Sequence, residues 1–254
     1  MGELALGSPE FYIKIEAARY QHTDFLTHQV HTRMMEFKNT NMVFIGDNRN
    51  GKSLSSMETA FRINNGLLDM QYIHKGFEAL IEFYKKIKRQ ACVLEEIGVV
   101  YSRFNWWQPE NQEFQKLMES QAFRLNTLCM NVTDMGRIPK WLWGYFTFVC
   151  DCVRRRKVTT VTIYEVKKNR LKGTLTFIPR TKWDVELTLP QGLIDEYNED
   201  KEDWNNDNLE QSRLKVLKAH KKFVEVKPEL KFNPNSNLGK YDLELETLEK
   251  AVRI

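Results

Sequence analysis

The feature that most constrains the fold is an eight-residue loop pattern between a short apolar run and a helical pattern. Residues 46–53 read GDNRNGKS, which fits G-x-x-x-x-G-K-[ST]. Residues 42–45 before it are all apolar, as in a strand buried on both faces. After it, apolar side chains repeat at helical spacing over residues 53–63. This strand–loop–helix order is the context in which the pattern binds phosphate.

Each residue type in the loop has a chemical role toward phosphate. Backbone N–H groups and the helix N-terminus face the anion, and glycine permits close approach and positive φ. Lys52 is expected to contact the β- and γ-phosphates of ATP, and Ser53 to hold Mg²⁺. Since only two loop positions are glycine, Asn48 or Asn50 is expected to adopt the left-handed conformation. The predicted nucleotide-binding residues are Gly46, Asp47, Asn48, Arg49, Asn50, Gly51, Lys52, Ser53 and Leu54.

A second apolar run, residues 91–94, ends in two adjacent carboxylates. Glu95 is predicted to position Mg²⁺ through water, and Glu96 to activate the attacking water. The interval between Lys52 and Glu95 leaves room for one helix–strand–helix segment. The alternative is a pair of ordinary glutamates at the start of a helix or loop.

The remaining pattern predicts an α/β fold. Residues 67–73 and 127–132 read as strands, and residues 74–89 and 111–124 as helices, so strands and helices alternate around a mainly parallel sheet. Beyond Pro139 the β-rich segments 145–152, 158–166, 174–178 and 185–189 are expected to extend the sheet as antiparallel strands. The predicted divisions are an N-terminal arm or helix (1–39), a phosphate-loop domain (40–190) and a charged helical C-terminal extension (191–254).

Composition excludes several classes of protein. The 38 basic and 34 acidic residues give a net charge of +4, which by itself does not require a polyanionic partner. No apolar run approaches the roughly 18–20 residues that cross a bilayer, and the N-terminal residues lack the layout of a signal peptide. Four cysteines are too few for a disulfide scaffold. We therefore expect a globular protein in a reducing, cytoplasmic compartment, without a membrane span.

Several motifs together resemble a known family. They are the loop at residues 46–53, the strand ending in Glu95 and Glu96, Gly98 with the aromatic segment 104–106, the helix ending at Arg124, and the run 126–132. This combination resembles the additional-strand ATPases, and most of all the FtsK/HerA-like DNA-pumping proteins with their compact Zot-like and archaeal-virus relatives. The resemblance covers about residues 40–190. It implies a RecA-like sheet between helices, ATP and Mg²⁺ as cofactors, and ATPase activity.

The resemblance also implies roles for individual residues. A polar residue at the end of the strand between the two Walker strands senses the γ-phosphate in this family, and Asn131 or Thr133 matches that position. The family supplies an arginine to the neighbouring subunit's nucleotide. Arg103, Arg124 and Arg137 are the candidates, and Arg124 is favoured because it precedes the sensor strand.

The same resemblance implies double-stranded DNA as the substrate and a homo-oligomer, such as a hexameric ring, that moves or packages DNA in a virus, plasmid or prokaryote. A cationic run between two β-rich segments is a candidate phosphate grip: Arg154, Arg155, Arg156 and Lys157. Residues 213–222 form a second basic stretch. The alternatives are a nucleotide kinase, although no clear arginine-rich lid appears, and a nucleotide-dependent assembly protein that does not hydrolyse or translocate.

Other chemical groups carry weaker patterns. Cys150 and Cys152 lack a second Cys or His pair at metal spacing, so buried structural cysteines are expected. His28 and His31 lack the neighbours of a catalytic or ligating histidine. Trp106 and Trp107 could stack on bases, but loop aromatics more often anchor a loop to a core.

Overall fold

The computed structural model describes residues 25–75, 77–97, 109–120, 124–169 and 171–226. The helices within these ranges are α1 (Phe25–Met35), α2 (Lys52–Ile63), α3 (Phe77–Lys86), α4 (Pro109–Ser120), α5 (Lys140–Trp143) and α6 (Gln191–Val226). The strands are β1 (Thr40–Ile45), β2 (Ile73–His74), β3 (Ala91–Leu94), β4 (Thr127–Asn131), β5 (Phe148–Arg155), β6 (Val158–Asn169) and β7 (Thr174–Asp184). Short 3-10 turns occupy Met70–Tyr72 and Met135–Arg137.

The strands join in one sheet with the order β2-β3-β4-β1-β5-β6-β7. The pairs from β2 through to β5 are parallel, and β6 and β7 pair antiparallel. The predicted α/β class, a mainly parallel sheet with an antiparallel extension and a C-terminal helix, is confirmed. Strand β4 lies between β1 and β3, which is the position that the resemblance implied for the sensor strand.

Helices cover both faces of the parallel strands, and the alternation of side chains along each strand decides which face each residue meets. Val43 and Met130 lie in a buried cluster with Leu80 of α3 and Phe114 of α4. On the opposite face, α2 contacts β1, β3 and β4, while α1 contacts α2 and β1. Burial of both faces explains why the central strands read as continuous apolar runs.

Several predicted strands differ from the observed ones. Strands β5, β6 and β7 run beyond their predicted ends at residues 152, 166 and 178. The strand predicted over residues 67–73 is reduced to Ile73–His74, because Asp69 accepts a hydrogen bond from the backbone N–H of Gln71 and caps a 3-10 turn. Residues 185–189 form no strand; Thr188 bonds to Glu58 of α2 instead. Strand β5, expected to be antiparallel, is parallel to β1.

Two predicted helices have shifted bounds. The helix expected from residue 74 begins at Phe77, since His74 still pairs with β3. The helix expected over residues 111–124 spans Pro109–Ser120, and residues 121–123 lie outside the described ranges.

The chain divides into two compact units, with the boundary between Glu196 and Tyr197, inside α6. The first unit contains the sheet, and the second contains the remainder of α6. The domain limits predicted from the sequence, at residues 39/40 and 190/191, stay predictions. Among the described residues, no helix combines the length and apolarity that a bilayer crossing requires.

Candidate functional site

The glycine-containing loop links the carboxyl end of β1 to the first turn of α2. Its backbone takes positive φ at Gly46 (141°), Arg49 (68°) and Gly51 (81°). The left-handed non-glycine residue of the loop is therefore Arg49, and the expectation that Asn48 or Asn50 would adopt this conformation is wrong. The backbone N–H of Asn50 donates to the carbonyl of Asp47 at 3.3 Å, which closes a turn whose third position, Arg49, takes the positive φ.

The two glycines are required by neighbouring strands as well as by their own φ angles. A Cβ atom at Gly46 would lie 2.4 Å from the carbonyl oxygen of Cys152 on β5. A Cβ atom at Gly51 would lie 2.3 Å from Oγ1 of Thr159 on β6. The loop is thus packed against the β5–β6 pair. Any larger residue at Gly46 or Gly51 would push the loop away from these strands.

Lys52, the first residue of α2, is 7% exposed and points back over the loop. Its Nζ donates to the carbonyl oxygens of Gly46 at 2.7 Å and Asp47 at 2.8 Å. Gly51, at the N-cap, has no side chain to bond the first N–H groups of α2. An ammonium group beside a helix N-terminus makes this loop an electropositive cradle suited to phosphate.

Three predicted residues meet at the carboxyl edge of the parallel strands. Glu95 directly follows β3 and is 1% exposed. Its Oε2 accepts a hydrogen bond from Oγ of Ser53 at 2.9 Å, and its Oε1 accepts one from Nδ2 of Asn131 at 2.6 Å. Asn131 is the last residue of β4, so parallel strands bring all three together because their carboxyl ends share one edge.

These side chains fit a magnesium ion. Mg²⁺ prefers oxygen ligands, takes one or two from the protein and completes its shell with water and phosphate oxygens. The hydroxyl of Ser53 and the carboxylate of Glu95 provide that small set. Oδ1 of Asn131 is buried and has no hydrogen-bond donor within the described residues, which suits it to a metal-bound or reacting water.

Glu96 follows in the turn after β3 and is half-buried, with φ of 48°. A left-handed glutamate is uncommon and costs conformational energy. The turn moves the chain away from the strand direction directly after Glu95. The two carboxylates therefore have different surroundings, and the catalytic role of Glu96 stays a prediction.

Arg124 lies just before β4, at the amino-terminal ends of the parallel strands. The phosphate loop of the same chain lies at their carboxyl ends. Its Nη1 donates to the carbonyl oxygens of Lys85 at 2.7 Å and Ile87 at 3.3 Å, so it caps the end of α3. Arg137 is exposed and pairs with Asp134 at 3.6 Å. Arg103 lies outside the described residues. A role for Arg124 toward a neighbouring subunit stays a prediction.

The cationic run forms the tip of a hairpin. Arg154 and Arg155 end β5, and Arg156 and Lys157 form the turn before β6. All four side chains are exposed. Arg156 has φ of 57°, as such tight turns require.

The weaker candidates take structural positions. Cys150 and Cys152 are buried on β5, and burial raises the pKa of the Cys152 thiol to about 12. No group of three or more potential metal-ligating His, Cys, Asp or Glu side chains exists in the described part of the chain. Nε2 of the buried His31 lies 3.2 Å from the carbonyl oxygen of Ile63, linking α1 to α2. Trp106 and Trp107 lie outside the described residues.

Two residues of the site were not anticipated from the sequence. Oγ of Ser56 accepts a hydrogen bond from Nδ2 of Asn131 at 2.8 Å and donates to the carbonyl of Ser53 at 2.9 Å. Its position one helical turn after Ser53 is a signal that could have identified it. Thr159 has no local signal, because its contact with Gly51 depends on how the sheet is assembled.

No model of a known protein family matches the chain, and no curated protein matches it significantly. Among solved structures, it is similar to the N-terminal domain of zonular occludens toxin from Neisseria meningitidis, with 11% identity and a TM-score of 0.36 over 56% of this chain and 94% of that chain. A likeness this distant carries no argument about function.

Proposed function

We propose that the chain binds Mg-ATP on residues 46–54 and hydrolyses it. The observation that carries this proposal is the hydrogen-bonded group of Ser53, Glu95 and Asn131 beside the loop on which Lys52 lies. A phosphate cradle alone would support nucleotide binding. The buried carboxylate facing the loop's serine adds the arrangement that a hydrolytic magnesium site needs.

In this proposal each side chain has one task in an in-line phosphoryl transfer. Lys52 binds the β- and γ-phosphates, and the N–H groups at the start of α2 neutralise their charge. Ser53 and Glu95 would hold magnesium, which would supply positive charge to offset the negative charge that develops on the phosphates. Asn131 orients Glu95, and Glu96 accepts the proton of the attacking water.

We further propose that hydrolysis drives movement of double-stranded DNA by a homo-oligomer, in which Arg124 approaches a neighbour's nucleotide. What supports this finer proposal is the resemblance carried by the sequence motifs, the position of β4 between β1 and β3, and the exposed cationic hairpin tip. A duplex gripped through its phosphates can be moved regardless of its base sequence.

The proposal is tested by steady-state ATP hydrolysis of the full chain with and without duplex DNA. Lys52→Ala is expected to abolish turnover and weaken ATP binding, because it removes the loop's only ammonium group at the phosphates. Lys116→Ala is the matched control, since that lysine is exposed on α4 and pairs only with Glu113 among the described side chains.

Unchanged turnover in a folded Lys52→Ala variant would overturn the phosphate-loop assignment. ATP binding by the parent without turnover would favour the nucleotide-dependent assembly protein. Turnover that duplex DNA does not stimulate would leave the ATPase standing and contradict the DNA motor.

A further inference from the structure

We propose that Arg154 is a phosphate-binding residue of the nucleotide site, contributed by the hairpin of β5 and β6 in the same chain. This inference rests on the proposed function, because it requires a nucleotide on the loop. It assigns to one arginine of the cationic run a role that differs from gripping DNA.

The hairpin extends beyond the carboxyl ends of the parallel strands, where the phosphate loop lies. Strand β1 ends at Ile45, which pairs with Asp151, whereas β5 continues to Arg155. At about 3.3 Å per residue, β5 runs about 13 Å farther than β1. Open α/β sheets bind their ligands beyond the carboxyl ends of the parallel strands, and here the hairpin forms one wall of that space.

The hairpin touches the loop at two points. The carbonyl oxygen of Cys152 lies where a side chain on Gly46 would stand, and Oγ1 of Thr159 lies where one on Gly51 would stand. The two strands therefore follow the loop from its first glycine to its second. This close packing holds the part of the hairpin next to the tip against the loop.

The register of the hairpin distinguishes Arg154 from its neighbours. Arg154 is directly opposite Thr159, and Arg155 is directly opposite Val158. Residues opposite each other in an antiparallel pair share a face, and successive residues alternate. Arg154 therefore shares the face of Thr159, which meets the loop, whereas Arg155 is on the other face.

The side chain of Arg154 is exposed, and it makes no hydrogen bond or ion pair with any of the described side chains. A guanidinium group offers five donors in a planar fork that matches phosphate oxygens. Lys52 is the ammonium at the loop itself, and a nucleoside triphosphate carries several negative charges. Arg154 supplies a cation from the hairpin, in addition to Lys52 and Arg49 of the loop.

The experiment compares nucleotide affinity in variants of the full chain that differ by one position. Arg154→Ala and Arg155→Ala remove the same charge from adjacent residues on opposite faces. Arg154→Gln is a second variant that keeps most of the side-chain length. The affinities for fluorescent Mg-ATP and Mg-ADP analogues are measured without DNA, with circular dichroism as the check on folding.

We expect Arg154→Ala and Arg154→Gln to weaken Mg-ATP binding roughly tenfold or more, as the loss of a charge-assisted hydrogen bond would. Arg155→Ala should keep an Mg-ATP affinity within about twofold of the parent's. Arg155 is on the other face of the hairpin, so its charge acts on the nucleotide only through electrostatics that water and salt screen. Equal losses in both positions would overturn the inference, since they would indicate a general effect of charge. The inference would also be overturned if both Arg154 variants bound Mg-ATP with the affinity of the parent.

Two further measurements distinguish failure of the proposed function from failure of this inference, and distinguish nucleotide binding by Arg154 from DNA binding. If the parent binds no nucleotide, or if Lys52→Ala binds as the parent does, the proposed function fails and this inference fails with it. If the parent binds nucleotide normally and the Arg154 variants lose only affinity for a labelled duplex, the proposed function stands. The hairpin is then a DNA grip, and the inference is overturned.

Discussion

At the scale of single residues, the adjacent glutamates after β3 have different environments. Glu95 is buried and holds two donors, from Ser53 and Asn131. Glu96 is half-buried in a left-handed turn. The two hydrogen bonds orient the Glu95 carboxylate, and its remaining lone pairs stay available to a cation. A less restrained carboxylate is suited to accepting a proton.

Glu96→Gln is therefore expected to preserve ATP binding and lower turnover by roughly 10²–10⁴-fold, because the amide keeps the shape but loses the basic oxygen. Glu95→Gln should instead raise the Mg²⁺ concentration needed for half-maximal turnover. Magnesium titrations of ATP hydrolysis, with binding measured separately, distinguish the two. If Glu95→Gln alone stops hydrolysis without changing the magnesium requirement, the roles are reversed.

His74 offers a residue-scale test of stability against pH. Burial lowers the pKa of His74 to about 4, from an ordinary value of 6.5. The ring lies 4.9 Å from that of Phe83, and its Nε2 is buried without a hydrogen-bond partner in the described part of the chain. The protonated ring is thus favoured in the unfolded chain. Between about pH 4 and pH 6.5 the unfolded chain therefore binds more protons than the folded chain.

The free energy of unfolding should therefore be unaffected by His74 above about pH 6.5 and fall as the pH drops from there toward about 4. Urea midpoints at pH 7.5 and pH 5, compared between the parent and His74→Gln, measure this. The urea midpoint of His74→Gln should fall less between pH 7.5 and pH 5 than that of the parent. Identical pH dependence in both proteins would mean that the buried imidazole is not the cause.

At the scale of elements, one side chain joins α2 to the strand that carries the glutamates. Nδ2 of Asn64 donates to the carbonyl of Ala91 at 2.8 Å, and its Oδ1 accepts from the N–H of Ala91 at 2.7 Å. Asn64 also follows the last residue of α2 and is 5% exposed. The end of the loop's helix and the start of β3 are thus held together at the edge opposite the site.

Asn64→Ala should lower the free energy of unfolding by about 3 kcal/mol, because it leaves a buried N–H and a buried carbonyl of Ala91 unsatisfied. Urea denaturation measures the loss. The matched control is Gln115→Ala, whose amide bonds only to the exposed Glu119 among the described side chains. A loss below about 0.5 kcal/mol, as for an ordinary surface position, would contradict this account.

At the scale of the whole molecule, charge is close to balanced, at +4 over 254 residues. The proposed binding to DNA would then depend on local cations and not on a general attraction. The described candidates are the hairpin tip and the exposed basic residues of α6, Arg213, Lys215 and Lys218. Contacts of this kind carry no base specificity.

Replacing Arg155, Arg156 and Lys157 together with alanine should weaken binding to labelled duplexes equally for unrelated sequences. It should also flatten the dependence of affinity on salt, by roughly 0.9 in slope for each DNA phosphate that the protein no longer neutralises. Titrations at several salt concentrations measure both effects. A control variant with alanine at Lys85, Lys86 and Lys116, on α3 and α4, loses the same charge. Equal losses in the two variants would show that only net charge matters.

The sequence alone determined the features that depend on neighbours along the chain. The phosphate loop follows a buried strand and starts a helix because glycine, lysine and serine positions specify a local backbone path. Strand β3 with its two glutamates, β4 with its terminal asparagine and the helix after the loop follow from runs and periodicities of a few residues. The family resemblance drew on the same local motifs.

The tertiary structure decided what depends on the order of strands in the sheet. It placed β5 parallel to β1, put Thr159 against Gly51, and brought Asn131 to Glu95. It also gave the left-handed position to Arg49 and replaced a predicted strand by the bond between Thr188 and Glu58. Local periodicity specifies a strand but not its neighbour. Contacts between residues distant in sequence are selected by burial and hydrogen-bond satisfaction over the whole fold.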